Sequence, residues 1–140
     1  MAKAAGIQMS ECRLLEDHEC AHFMSKRFDR VNGKKLHMQP LCAMRHGAWH
    51  LAPAYDMTWA YKPGSKWTGQ HQMSINGKRD GFSAEDFFAV AKHFDIAKPQ
   101  EIISEVCESA MAFGDFAKEA GVAGSIAKQM LPEFRTYLKK

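Results

Sequence analysis

One carboxylate in this chain follows a clear strand-ending signal. The run Trp49–Asp56 reads Trp-His-Leu-Ala-Pro-Ala-Tyr-Asp, and it predicts a short strand over Trp49–Ala52 that ends at Pro53, because proline cannot donate to a ladder. Asp56 then enters an irregular stretch. A carboxylate placed there can hold Mg²⁺ beside phosphate oxygens, as phosphoryl-transfer enzymes require, or it can cap an ordinary turn. The residues alone leave both interpretations open.

A second group with possible chemistry is His18-x-Cys20-x-His22. On a strand these three side chains share one face, and nitrogen and sulfur ligands suit zinc. No fourth ligand follows at a recognisable spacing, so chance placement near a turn is the competing interpretation. The four cysteines form no Cys-x-x-Cys pair, which indicates free thiols rather than a disulfide framework.

Several classes of protein are excluded or disfavoured. The chain has no Gly-x-Ser-x-Gly, Walker A or Gly-x-Gly-x-x-Gly sequence, and no apolar run near the roughly 18 residues of a membrane span. It also shows no secretory leader, so we expect a cytoplasmic protein without membrane contact. The net charge of +3 is mild, and pairs such as Lys34-Lys35 are interpreted as solvated surface. Direct binding of nucleic acid is therefore not expected.

The hydrophobic pattern predicts an α+β fold in one domain. Two strands form a hairpin within residues 10–28, and a short amphipathic segment covers Leu36–Met44. The residues Tyr55–Arg79 form a long loop, and loops of that length are usually functional. About three helices follow, the first capped by Ser83, the second opened by Pro99, and the last over residues 122–138. The expected segments are 1–44, a hinge and hairpin region; 45–82, the metal-strand and loop region; and 83–140, the helical bundle.

Five runs together resemble the C-terminal region of the HipA family of serine/threonine kinases, and they occur in the family's order. They are Glu11–Leu15, Phe23–Arg30, Trp49–Asp56, Gly69–Lys78 and Phe82–Asp86. The resemblance implies a partial protein-kinase-like fold, in which the front hairpin is the hinge region and the helices belong to the C-terminal lobe. It covers most of the chain.

The same resemblance implies particular roles for five residues. Asp56 matches the magnesium-binding aspartate of the family, and Tyr55 lies beside the nucleotide. Lys26, Phe28 and Asp29 match the hinge, where backbone groups meet adenine and an acidic side chain can reach the ribose. ATP and Mg²⁺ are the implied cofactors. Without the resemblance, Phe28 is interpreted as hairpin core, and Lys26 and Asp29 as solvated surface.

The chain departs from the family pattern where catalysis is concentrated. The lysine and phosphate loop of the front lobe are not found, and no Asp-x-His-x-Lys-Asn catalytic loop stands between the hinge and Asp56. Residues 45–48 join the two regions almost directly. His46 is the nearest possible base, but nothing aligns it with a γ-phosphate. We therefore expect a truncated kinase fragment with no catalytic residue, inactive or very weak by itself.

The resemblance also implies partners. In the family, the kinase is a toxin held by a DNA-binding HipB-like antitoxin, and its substrate is a protein serine or threonine. The alternative is a non-catalytic regulatory module or decoy that binds a HipB-like antitoxin or a full-length kinase. A missing lobe core would also expose apolar helix faces and favour homo-oligomers. The residues concerned are Phe87, Phe94, Ile102, Val106 and Phe113.

Overall fold

The structure is a computed structural model that describes residues 1–38 and 50–139. It is an α+β protein, as the sequence predicts, and it forms two compact units. The hairpin unit comprises Ile7–Met57, and the helical unit comprises Met1–Gly6 together with the chain from Thr58 onward. The prediction of a single domain in three segments stays a prediction. No helix among the described residues combines the length and apolar character needed to cross a membrane.

Within residues 7–38 and 50–57, the hairpin unit contains two antiparallel strand pairs. Strands β1 (Cys12–Asp17) and β2 (Cys20–Ser25) pair in the register that places Leu14 opposite Phe23, and every residue of both strands is exposed. Strands β3 (Arg30–Val31) and β4 (Lys34–Lys35) form a second, two-residue ladder. The predicted first hairpin is therefore present, although β2 ends before Phe28.

The predicted strand Trp49–Ala52 is wrong over its described part, residues 50–52, which form no strand. Ala54 instead makes an isolated parallel bridge to Met9, donating to the Gln8 carbonyl at 2.8 Å and accepting from the Ser10 amide at 2.9 Å. Pro53 has no N–H to donate, which limits the pairing to a single residue. Trp49 lies outside the described residues.

Residues 36–38 are not helical, and the rest of the predicted amphipathic segment Leu36–Met44 lies outside the described residues. Cys42, His46 and the join at residues 45–48 also lie outside them. The cysteines in the described part, Cys12, Cys20 and Cys107, form no disulfide with one another, as predicted.

In its described part, the helical unit contains four α-helices rather than about three. They are α1 (Ala84–His93), α2 (Pro99–Met111), α3 (Phe113–Glu119) and α4 (Gly124–Met130). The second predicted helix divides at Ala112, and no local sequence signal marks that break. The last helix was predicted over residues 122–138, and this is wrong: Pro132 falls in a short 3₁₀ turn, Leu131–Glu133, because proline removes a helical N–H and clashes with the preceding turn.

The loop over residues 55–79 holds no helix or strand, as predicted, but its end is fastened to α1. Asp86, buried in the first turn of α1, accepts hydrogen bonds from Lys78 Nζ at 2.8 Å and Asn76 Nδ2 at 2.9 Å. The same carboxylate accepts from the Ser83 amide at 2.8 Å, which completes the predicted cap. Lys78, then Ser83 and Asn76, hold the pKa of Asp86 well below its usual range.

The C-terminal segment closes back onto the start of α1. The Tyr137 hydroxyl donates to the Phe82 carbonyl at 3.3 Å, and Arg135 pairs with Asp80 while its guanidinium lies 5.9 Å from the centroid of the Phe82 ring. Phe82 is one of the few large apolar side chains that are buried in this unit.

The helix faces that were expected to be exposed are exposed in part. Phe94, Ile102 and Val106 are exposed, whereas Phe87 and Phe113 are half-buried. Phe113 packs on Phe134, with ring centroids 4.9 Å apart. Homo-oligomers through these faces stay a prediction.

Candidate functional site

Four of the predicted site residues line one cavity in the hairpin unit. The cavity has a volume of about 260 Å³ and is formed where β2 ends and where Tyr55 follows the Ala54 bridge. Lys26, Phe28, Asp29 and Tyr55 contribute to its wall, together with Ser25, Arg27 and Met38. Residues separated by almost thirty positions in sequence are thus brought to one place.

Two aromatic rings give the cavity its apolar surface. Phe28 is half-buried and Tyr55 is exposed, and their ring centroids lie 5.4 Å apart at a tilt of 45°. A flat base needs about 3.5 Å on each side, so it has no room between these rings. A base can instead stack on the outer face of one ring, while the second ring packs against the first and holds it in place.

The backbone of Lys26 is already engaged. Its amide donates to the Glu11 carbonyl at 2.7 Å, and its carbonyl accepts from the buried Ser10 hydroxyl at 2.6 Å. The Lys26 side chain pairs with Glu11 at 2.9 Å. Within the described residues, the Phe28 amide and carbonyl make no hydrogen bond. Among the described residues, Phe28 rather than Lys26 therefore has backbone groups without a hydrogen-bond partner.

Asp29 does not have the surface position that its residue type alone suggests. Its side chain is only 8% exposed and accepts from Arg27 Nε at 2.7 Å and Nη2 at 2.5 Å. The Arg27 guanidinium holds the pKa of the Asp29 carboxyl below its usual range. Such a bidentate pair fixes the positions of both side chains, and both of them line the cavity. The Asp29 carboxylate is therefore already hydrogen-bonded to Arg27.

Asp56 follows Tyr55 and lies outside the cavity lining. Its carboxylate belongs to an exposed residue, and its backbone is in the left-handed region with φ 53°. Among residues 1–38 and 50–139, no group of three His, Cys, Asp or Glu side chains could hold a metal ion, and this includes His18, Cys20 and His22. A divalent cation at Asp56 would need phosphate oxygens or water as its further ligands.

The sequence interpretation missed two residues that shape this site. Arg27 stands between two of the predicted residues, and the Arg-x-Asp spacing was the available signal. Ser10 is remote in sequence, and nothing in its neighbourhood indicated that its hydroxyl holds the Lys26 carbonyl.

The architecture defines an α+β protein whose cavity is formed at the end of a β-hairpin. Residues 1–48 of the 140 match the family model of the HipA-like C-terminal domain. The chain therefore carries HipA-like sequence, and the predicted resemblance is confirmed over this range. No curated protein and no solved structure matches the chain. Lys26, Phe28 and Asp29 lie within the matched residues, whereas Tyr55 and Asp56 follow them.

Proposed function

We propose that this chain is a fragment of a HipA-family serine/threonine kinase that binds the adenine nucleotide of the family and transfers phosphate weakly or not at all. The observation that carries the proposal is the convergence of Lys26, Phe28, Asp29 and Tyr55 on one cavity. The roles that the family resemblance implies for these residues require such proximity.

The residues present fit a nucleoside better than they fit catalysis. Three features suit a base-binding cavity. They are the aromatic ring faces, the Phe28 backbone groups, which make no hydrogen bond to another described residue, and the fixed pair of Arg27 and Asp29. Mg²⁺, when bound at Asp56, would neutralise charge on the phosphate groups. Asp56 is a single carboxylate, and positioned groups supply most of the catalysis in phosphoryl transfer. We therefore expect the chain to bind the nucleotide without transferring its phosphate efficiently.

Replacing Tyr55 by alanine tests the nucleoside site. Stacking of a base on an aromatic ring is worth about 1–3 kcal/mol, so Tyr55→Ala should weaken adenosine binding about 5- to 150-fold in a calorimetric titration. Leu51→Ala is the control, because Leu51 is almost fully exposed in the same unit and does not line the cavity. Equal adenosine binding by the wild type and Tyr55→Ala would contradict the proposed site.

The same protein, incubated with labelled ATP and Mg²⁺, should incorporate little or no phosphate. Magnesium-dependent incorporation that is lost in Asp56→Ala would show that the chain is an active kinase, and the proposal of weak or absent transfer would then be wrong.

A second candidate function rests on a different surface. Leu14 and Phe23 face each other across β1 and β2, and they are 62% and 58% exposed. An exposed apolar pair on a two-stranded sheet suits a protein-binding module, since isolated hairpins gain stability when they are covered. The partner proposed for this surface is a HipB-like antitoxin or a full-length kinase.

Co-purification tests this second candidate. A HipB-like protein should be retained by the wild-type chain, and Leu14→Lys should reduce its retention at least tenfold because a charge would have to be buried. Leu51→Lys is the control, since Leu51 is even more exposed but lies outside the strands. No retention of either candidate partner would leave the binding-module function without support.

A further inference from the structure

Positive charge in this protein is concentrated in one short segment. Between Lys26 and His37 lie five of the 19 Lys and Arg residues and only one of the 16 Asp and Glu residues, which leaves +4 on twelve positions. The net charge of the whole chain is +3, so all other residues together are slightly negative.

The fold places like charges opposite each other in this segment. Arg30 is the direct cross-strand partner of Lys35, and Lys34 follows in the same two-residue ladder. Like charges at opposing positions destabilise a strand pair. The turn at Asn32 and Gly33, both with positive φ, holds the strands together despite this repulsion.

The positive charges of Lys26 and Arg27 are neutralised by ion pairs, but those of the ladder residues Arg30, Lys34 and Lys35 are not in the described part of the chain. Lys26 pairs with Glu11, and Arg27 pairs with Asp29. Arg30 makes no ion pair within the described residues, although its charge acts on Asp29. Lys34 and Lys35 likewise have no acidic partner within ion-pair distance in that part of the chain.

A second cavity lies beside Lys35 of this ladder. Its volume is about 600 Å³, and its lining includes Lys35, Leu36 and His37. It shares Arg27, Asp29 and Met38 with the aromatic cavity at Phe28 and Tyr55. The two cavities are therefore adjacent parts of one surface, one aromatic and one basic.

We infer that the ladder cavity binds the phosphate groups of a nucleotide whose base occupies the aromatic cavity. This inference rests on the proposed function, and it assigns phosphate contacts to Lys35, which lines the cavity, and to Arg30, its cross-strand partner just outside the lining. An anion between these two side chains would replace their repulsion with two attractions. Each two-residue strand spans only about 7 Å, which suits one short phosphate chain rather than the long track of a nucleic-acid backbone.

Titrations with adenosine and ATP, without Mg²⁺ and at low salt, test the inference. ATP should bind the wild type about tenfold more tightly than adenosine does, and added salt should reduce this advantage because it screens exposed charges. Lys35→Met and Arg30→Met should each reduce the advantage about 3- to 10-fold and leave adenosine binding unchanged. Arg13→Met is the control, because it removes a positive charge from the same unit outside both cavities.

The fold of the variants is checked independently. Lys35→Met removes a like-charge contact, so hydrogen exchange at the Leu36 amide, which donates to the Asp29 carbonyl at 2.7 Å, should be unchanged or slower without ligand. Faster exchange would contradict the repulsion on which the inference depends.

The outcomes separate the two proposals. Adenosine binding without an ATP advantage would overturn this inference and keep the nucleoside site. Failure of both ligands to bind would overturn both proposals. A single-stranded DNA oligonucleotide that binds as tightly as ATP, and that loses binding in Lys35→Met, would assign the ladder to nucleic acid and overturn the inference.

Discussion

Replacing Asp86 by alanine should lower the melting temperature of the helical unit by roughly 10 °C. One buried carboxylate receives hydrogen bonds from Asn76, Lys78 and Ser83, and so joins a loop, a turn and the first turn of α1. Removing it would leave the half-buried Ser83 amide without its acceptor, release the loop residues Asn76 and Lys78, and leave the helix without its cap. Far-UV circular dichroism reports this unit directly, because all four described α-helices belong to it.

The control is Asp115→Ala. Asp115 is the first-turn acid of α3 and is exposed, so its loss should change the melting temperature by a degree or two at most. A similarly small shift for Asp86→Ala would mean that the buried network contributes little to the stability of the unit.

The pH dependence gives a second readout for Asp86. The pKa of its carboxyl is lowered in the folded state, so the stabilisation is fully present above the unfolded value of about 4 and is lost as the pH falls below it. Stability of the wild type should therefore decline from pH 4 downward. Asp86→Asn, which cannot titrate, should already be less stable at neutral pH and should show a shallower decline.

Replacing Arg27 by methionine should be the most damaging single change in the hairpin unit. Asp29 would keep a buried carboxylate but would lose both hydrogen bonds from the guanidinium. An unpaired buried charge is more costly than no charge, so Arg27→Met should destabilise more than Asp29→Asn does. The double variant should recover part of the loss, which is the signature of a coupled pair.

Hydrogen exchange at the Leu36 amide provides the measurement, because this amide bonds to the Asp29 carbonyl. Exchange should accelerate at least tenfold in Arg27→Met and less in the double variant. Arg13→Met is the control, since Arg13 lies on β1 away from Asp29. Additive effects of the two substitutions would contradict the coupling between Arg27 and Asp29.

Acidification should act on this pair in a predictable direction. The pKa of Asp29 is lowered by Arg27, so the contribution of the pair is present above the unfolded value of about 4 and disappears as the pH falls. In Arg27→Met the sign reverses, because protonation relieves an unpaired buried carboxylate. The difference in exchange between the wild type and Arg27→Met should therefore narrow at acidic pH.

Local signals made much of the fold predictable from sequence. The alternation before Asp17 indicated a strand, Ser83 with acidic residues behind it indicated a helix start, and Pro99 indicated another. These signals act within one helical turn or one strand, where local backbone hydrogen bonding determines the secondary structure. The break at Ala112 has no such signal, and the effect of Pro132 on the last helix was underestimated.

For the candidate site, the sequence predicted which residues belong to it but not how they are arranged. The family resemblance named Lys26, Phe28, Asp29 and Tyr55, and these residues line one cavity. The sequence did not show which carboxylate would be buried, since Asp29 is flanked by Arg27 and Arg30 and its burial depends on packing of the whole unit. The opposition of Arg30 and Lys35 depends on strand register, which the turn at Asn32 and Gly33 decides.

The division of the chain into units has a consequence for synthesis. The hairpin unit is a continuous insert between Gly6 and Thr58, and the Met9–Ala54 bridge holds its two ends together. It can be complete as soon as residue 57 has left the ribosome. The helical unit cannot be complete until Tyr137 has been synthesised, because the Tyr137 hydroxyl bonds to the Phe82 carbonyl. The nascent chain thus presents its proposed nucleotide cavity before its helices can close, so a ligand could meet the hairpin unit during translation.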